Sequence, residues 1–99
     1  MSPQMQELLT KVGKGLGPQK ARLARHIVVL LGYVFLQEGV AIKAGDHSPN
    51  QGLLQLKGMS SCLKELAVHI GMSEEAFDDV LKQVAREVES MFMVAQLRA

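Results

Sequence analysis

The chain predicts an all-α single domain of four helices. Apolar residues recur at steps of three and four along most of its length, and turn formers collect at a few places between those stretches. Large aromatic anchors are scarce. Three Phe, one Tyr and no Trp leave the core to Val, Leu, Ile and Met, which suits packed helices better than stacked sheets. Ninety-nine residues are one domain's worth of chain, and 47% hydrophobic with 21% charged residues is a globular balance rather than a disordered one.

The first helix is expected at residues 3–12, where Met5, Leu8, Leu9 and Val12 share a face after Pro3. Gly13-Lys14-Gly15-Leu16-Gly17 then breaks it, and Pro18 suits the first turn of the next helix. Neither the dinucleotide nor the P-loop glycine spacing is met there, so the segment reads as a linker. The second helix is expected at 18–43. Its start is basic and amphipathic, but from Ile27 to Leu36 it loses its polar face, and a helix apolar all round must be covered on every side. The β-branched runs Ile27-Val28-Val29 and Val40-Ala41-Ile42 are the alternative, as short buried strands.

Residues 44–52 are dense in turn formers and read as a loop. Leu53, Leu56, Met59, Leu63, Leu66, Ala67 and Ile70 place a third helix at 53–70, with Gly58 as a possible kink and Ser60 or Ser61 as later caps. Gly71 closes it. Ser73 opens a fourth helix at 74–97, with Glu74 and Glu75 favourably placed on its dipole. Phe77, Leu81, Val84, Val88, Met91 and Ala95 step by four and three alternately, a heptad seam widened by Val80, Ala85 and Phe92.

A chain this small cannot cover both that seam and the apolar second helix, so a homodimer or burial against another protein is expected. Phe77, Leu81, Val84, Val88, Met91 and Phe92 are the expected contact residues.

Net charge is only +1, which excludes a global electrostatic attraction to nucleic acid or to an anionic membrane. The charge is nevertheless uneven. Lys11, Lys14, Lys20, Arg22 and Arg25 outweigh Glu7 at one end, whereas the last quarter is acidic. The apolar run at 27–36 is shorter than the ~20 residues of a spanning helix, and its basic lead is too long for a secretory signal. A single cysteine forms no internal disulfide, which points to a reducing cytoplasm.

Chemical motifs are few. Asp46, His47 and Cys62 are the only suggestive nucleophile–base–acid set, and nothing in the sequence brings them together. Cys62 and His69 stand two helical turns apart, about 10 Å, too far to share a zinc ion. No catalytic, cofactor or metal site is expected, and the chain reads as non-enzymatic.

One segment carries a family likeness. Ala67 lies four residues before the turn residue Gly71, and Leu66, Ile70, Met72, Phe77 and Val80 fill the positions that pack two helices together. Over roughly 20 residues this resembles the helix-turn-helix of bacterial regulators. The resemblance implies that the helix after Gly71 enters the major groove. Its outward residues, however, are Ser73, Glu74, Glu75, Asp78, Asp79 and Lys82, and four carboxylates against one lysine repel phosphates. The expected role is therefore a regulator or adaptor that works by protein–protein contact, with Glu74, Glu75, Asp78 and Asp79 steering a basic partner. The alternative is a small dimeric DNA-binding regulator holding phosphates with Lys11, Lys14, Lys20, Arg22 and Arg25.

Overall fold

A computed structural model describes residues 2–98, with side chains described through Met91. Four helices follow in order: α1 Pro3–Val12, α2 Pro18–Ala44, α3 Pro49–His69 and α4 Glu74–Arg98. Among the described residues there is no strand, and the β-branched runs of α2 lie within its helix. Context overrides β-propensity here because both runs sit inside a long stretch that is helical on either side.

The helix starts are local chemistry. α1, α2 and α3 each begin with proline directly after an extended cap residue, where the missing N–H costs nothing. Ser2 Oγ accepts the Met5 N–H at 3.1 Å. Ser48 and Gln51 form a reciprocal box: Ser48 Oγ accepts from the Gln51 N–H at 3.2 Å, and Gln51 Oε1 accepts from the Ser48 N–H at 3.1 Å. This box starts α3 at Pro49 rather than at residue 53, and the expected nine-residue loop shrinks to four residues, Gly45–Ser48. Ser, Pro and Asn serve turns and helix first turns alike, so composition alone misplaced the boundary.

The helix ends rest on glycine. Gly45 and Gly71 both lie in the left-handed region, at φ +82° and +110°. At Gly71 two backbone bonds close α3, Gly71 N–H to Val68 O and Met72 N–H to Ala67 O, both at 3.0 Å. Gly45 closes α2 in the same way, through Ile42 O and Ala41 O. α3 runs unbroken through Gly58.

α2 and α4 each pack against all three other helices, whereas α1 seats mainly on α4 and α3 mainly on α2. The core lies where these contacts meet. Leu31, Phe77 and Val80 are its largest fully buried side chains, and Ile27, Val28, Met72 and Val84 surround them. Ala24 and Ala67 are also fully buried, small enough to let neighbouring helices come close. Each large side chain in this cluster contributes about 1.5–3 kcal/mol through burial.

Two glycines should answer oppositely to alanine. At Gly71 a Cβ would be left-handed and 2.9 Å from Leu16 Cδ2, so Gly71→Ala should lower stability by about 1–2 kcal/mol in urea titration. At Gly32 a Cβ meets nothing within 4 Å, so Gly32→Ala should raise stability by about 0.5–1 kcal/mol. Equal effects at the two sites would contradict the backbone described.

Candidate interaction surface

α2 carries two apolar stripes of opposite fate. One, comprising Ala21, Ala24, Ile27, Val28 and Leu31, is buried in the core. On the opposite side Val29, Tyr33, Leu36 and Val40 step by four, three and four, and all are exposed, Tyr33 by 61%. Leu23 and Leu30 flank that stripe and are exposed too. The expectation that α2 is covered on every side therefore holds within the chain for one side only.

Beside the outward stripe runs an open apolar groove of about 410 Å³. Val29, Gly32, Tyr33 and Leu36 form one wall, Val88 and Met91 of α4 the other, and Met5 and Leu9 of α1 close its floor. Among the described residues Glu87 is the only charged one in the lining, and it accepts a hydrogen bond from Ser2 Oγ, which ties the cap of α1 to α4. α3 adds exposed Leu53, Leu54, Met59, Leu66 and Val68. Large apolar side chains bared along two helices exceed the scattered exposure of an ordinary monomer surface.

The contact residues expected on α4 fall in different places. Phe77 and Val84 are buried in the chain's own core, and Leu81 and Val88 pack partly against it. Phe77 and Val84 are therefore occupied within the fold, whereas Leu81 is only partly covered and Val88 also lines the groove. Met91, 60% exposed, stands on the groove rim, and Phe92 lies outside the described side chains. Sequence periodicity marks α2 as needing cover but does not separate this stripe from the core stripe, because the whole segment is apolar. Its four-three-four spacing was visible, but nothing polar set it apart from the core stripe.

The charged residues also divide. Asp78 pairs with Lys64 of α3 at 3.0 Å, a half-exposed contact worth little by itself but one that takes a carboxylate out of the acidic face. Asp79 shares a shallow hollow with Lys11, Lys82 and Arg86. Glu74 and Glu75 remain exposed on the first turn of α4. Lys11, Lys14 and Arg25 converge on one hollow with Glu7, while Lys20 and Arg22 stand exposed outside it.

His47 is hydrogen-bonded to a residue of α2. Its Nδ1 donates to Glu38 Oε1 at 2.6 Å, and Glu38 is only 7% exposed. Gly52 of α3 sits against this pair, since a Cβ there would come within 3.0 Å of the same oxygen and 2.5 Å of Ile42 Cδ1. A buried carboxylate, its imidazole partner and a glycine thus pin the start of α3 to the end of α2. Cys62 is exposed on α3. Among the described residues no three His, Cys, Asp or Glu side chains gather as metal ligands would.

Compared with known proteins, the chain matches no family model, no curated protein and no solved structure.

Removing the imidazole should expose the cost of burying Glu38. His47→Ala should destabilise the chain by about 1–3 kcal/mol in urea titration, and adding Glu38→Gln should recover part of that loss. A neutral His47→Ala would show that the pair contributes nothing to the joint between α2 and α3.

Proposed function

We propose that this is a non-enzymatic regulatory or adaptor protein that acts by protein–protein contact through the outward side of α2, both with itself as a homodimer and with another protein. The single observation supporting this reading is the exposed stripe Val29, Tyr33, Leu36 and Val40 with the apolar groove beside it. Heptad spacing on an exposed helix suits a helical partner laid alongside it. Glu74 and Glu75, free at the start of α4, would favour a basic partner by steering. A regulator that assists or opposes a transcription factor is one concrete form, motivated by the helix-turn-helix likeness of 62–82 and its acidic face. A cytoplasmic setting accords with the single exposed thiol.

A membrane is the competing environment for the same surface. Among the described residues α2 is the one helix long and apolar enough to cross a bilayer, with 27 residues, a mean hydropathy of 1.7 in its best window and 22% of that window buried. Two features weigh against crossing. Ala24, Ile27, Val28 and Leu31 form part of the core, so a spanning α2 would dismantle the fold. Glu38 would also enter the hydrocarbon, at a cost of about 2.5–3.5 kcal/mol or more.

The second reading is DNA binding, favoured by the convergence of Lys11, Lys14 and Arg25 on one hollow. It requires retention on duplex DNA that falls steeply with salt and weakens when Arg22 and Arg25 are neutralised. No retention at low salt would remove it.

Affinity capture from the native cell, read by mass spectrometry, tests the leading proposal. Tyr33→Glu should keep its helical circular dichroism and lose most of the proteins that the parent chain retains. Identical captured sets from both would remove the α2 surface from the function.

A further inference from the structure

We propose that the outward stripe of α2 is covered by the same stripe of a second copy of this chain, the two α2 helices running antiparallel about a twofold axis near Val34 and Phe35. This deepens, and rests on, the reading of that surface as a protein contact.

The stripe is self-complementary under such an axis. Exchange of ends places Val29 opposite Val40 and Tyr33 opposite Leu36, so each large ring meets a smaller aliphatic chain. Gly32 falls opposite Gln37, and the space over Gly32 is open, with nothing within 4 Å of a Cβ there. A parallel pair would stack Tyr33 on Tyr33 and Arg22 on Arg22.

The charges frame the same patch. From Ile27 to Ile42 the only side chain charged at neutral pH is Glu38, which is turned into the buried contact with His47. That leaves about 24 Å of uncharged helix face between two charged ends. Arg22 stands at one end of this face with no acid in the first turn, near the positive pole of the helix dipole, while Lys20 lies on the side of Ala24 and Ile27 and Arg25 reaches over Gly13. Antiparallel pairing brings the other copy's carbonyl end and Asp46 to Arg22. Lys43 is the one like charge at the far end.

Antiparallel macrodipoles, an apolar centre and a polar rim are the anatomy of an interface between copies. A bilayer would not select this register, and an unrelated partner would not require the two ends of the stripe to match each other.

The test uses the full chain in sedimentation equilibrium over a concentration series. The parent should dimerise, and Tyr33→Glu and Val40→Lys should each be folded monomers by circular dichroism. Asp46→Lys should weaken the dimer about tenfold, since symmetry removes its pairing with Arg22 twice. Spin labels at Arg22→Cys, in a Cys62→Ser background, should lie about 38 Å apart in the antiparallel pair and much closer in a parallel one.

A parent that stays monomeric at every concentration overturns the proposal, as does a dimer unaffected by both stripe variants. A monomer that binds vesicles of phosphatidylglycerol and phosphatidylcholine overturns it in favour of a membrane surface. If the parent is monomeric yet Tyr33→Glu still loses captured proteins, only the second copy is rejected and the contact reading stands. If neither changes, both fall.

Discussion

Most of this structure follows from one constraint: a 27-residue apolar helix must be covered by a chain too short to surround it. α2 is about 40 Å long by its rise, whereas the ten residues of α1 reach only about 15 Å. α3 and α4 can line α2, but each also needs part of its surface for the other. The outcome is a helix with one stripe in the core and the opposite stripe bare. Leu31 and Tyr33, two residues apart, mark the two sides of that division.

The core answers the constraint by closeness rather than bulk. Ala24 and Ala67 let helix backbones approach, and Leu31, Phe77 and Val80 fill the space that remains. Left-handed glycines then turn the chain sharply enough to return each helix to α2. Gly71 does this while Leu16, from the linker between α1 and α2, rests against it, so the turn before α4 and the linker constrain each other. Glu38, His47 and Gly52 do the same at the opposite joint, with a buried hydrogen bond in place of an apolar contact. Both ends of α3 are thereby fixed against α2 and its neighbours.

The charges are distributed around this frame rather than concentrated in one site. Lys64 takes Asp78, and Asp79 lines a hollow with Glu7, Lys11, Lys82 and Arg86, so the carboxylates that form one face in the sequence have different neighbours. What remains prominent is apolar. Among the described residues the outward stripe of α2 keeps the four-three-four spacing of a helix-packing face.

The sequence alone determined the helical class, four helices in order, the glycine that ends α3 and the small residue at Ala67 that permits a tight approach. These are legible because capping, left-handed glycine and three-four spacing act within a few residues of one another. It also indicated more apolar surface than the chain can cover, on α2 and on the seam of α4 alike, and named contact residues only on α4. Only the tertiary structure decided that Phe77 and Val84 face inward and that Val29, Tyr33, Leu36 and Val40 face out. Periodicity shows that a stripe exists, whereas which stripe is buried depends on which helices reach it, and those neighbours come from far along the chain. For the same reason the pairing of Glu38 with His47 was invisible: both residues were in view, but a hydrogen bond across a turn depends on a loop that the Ser48–Gln51 box had shortened.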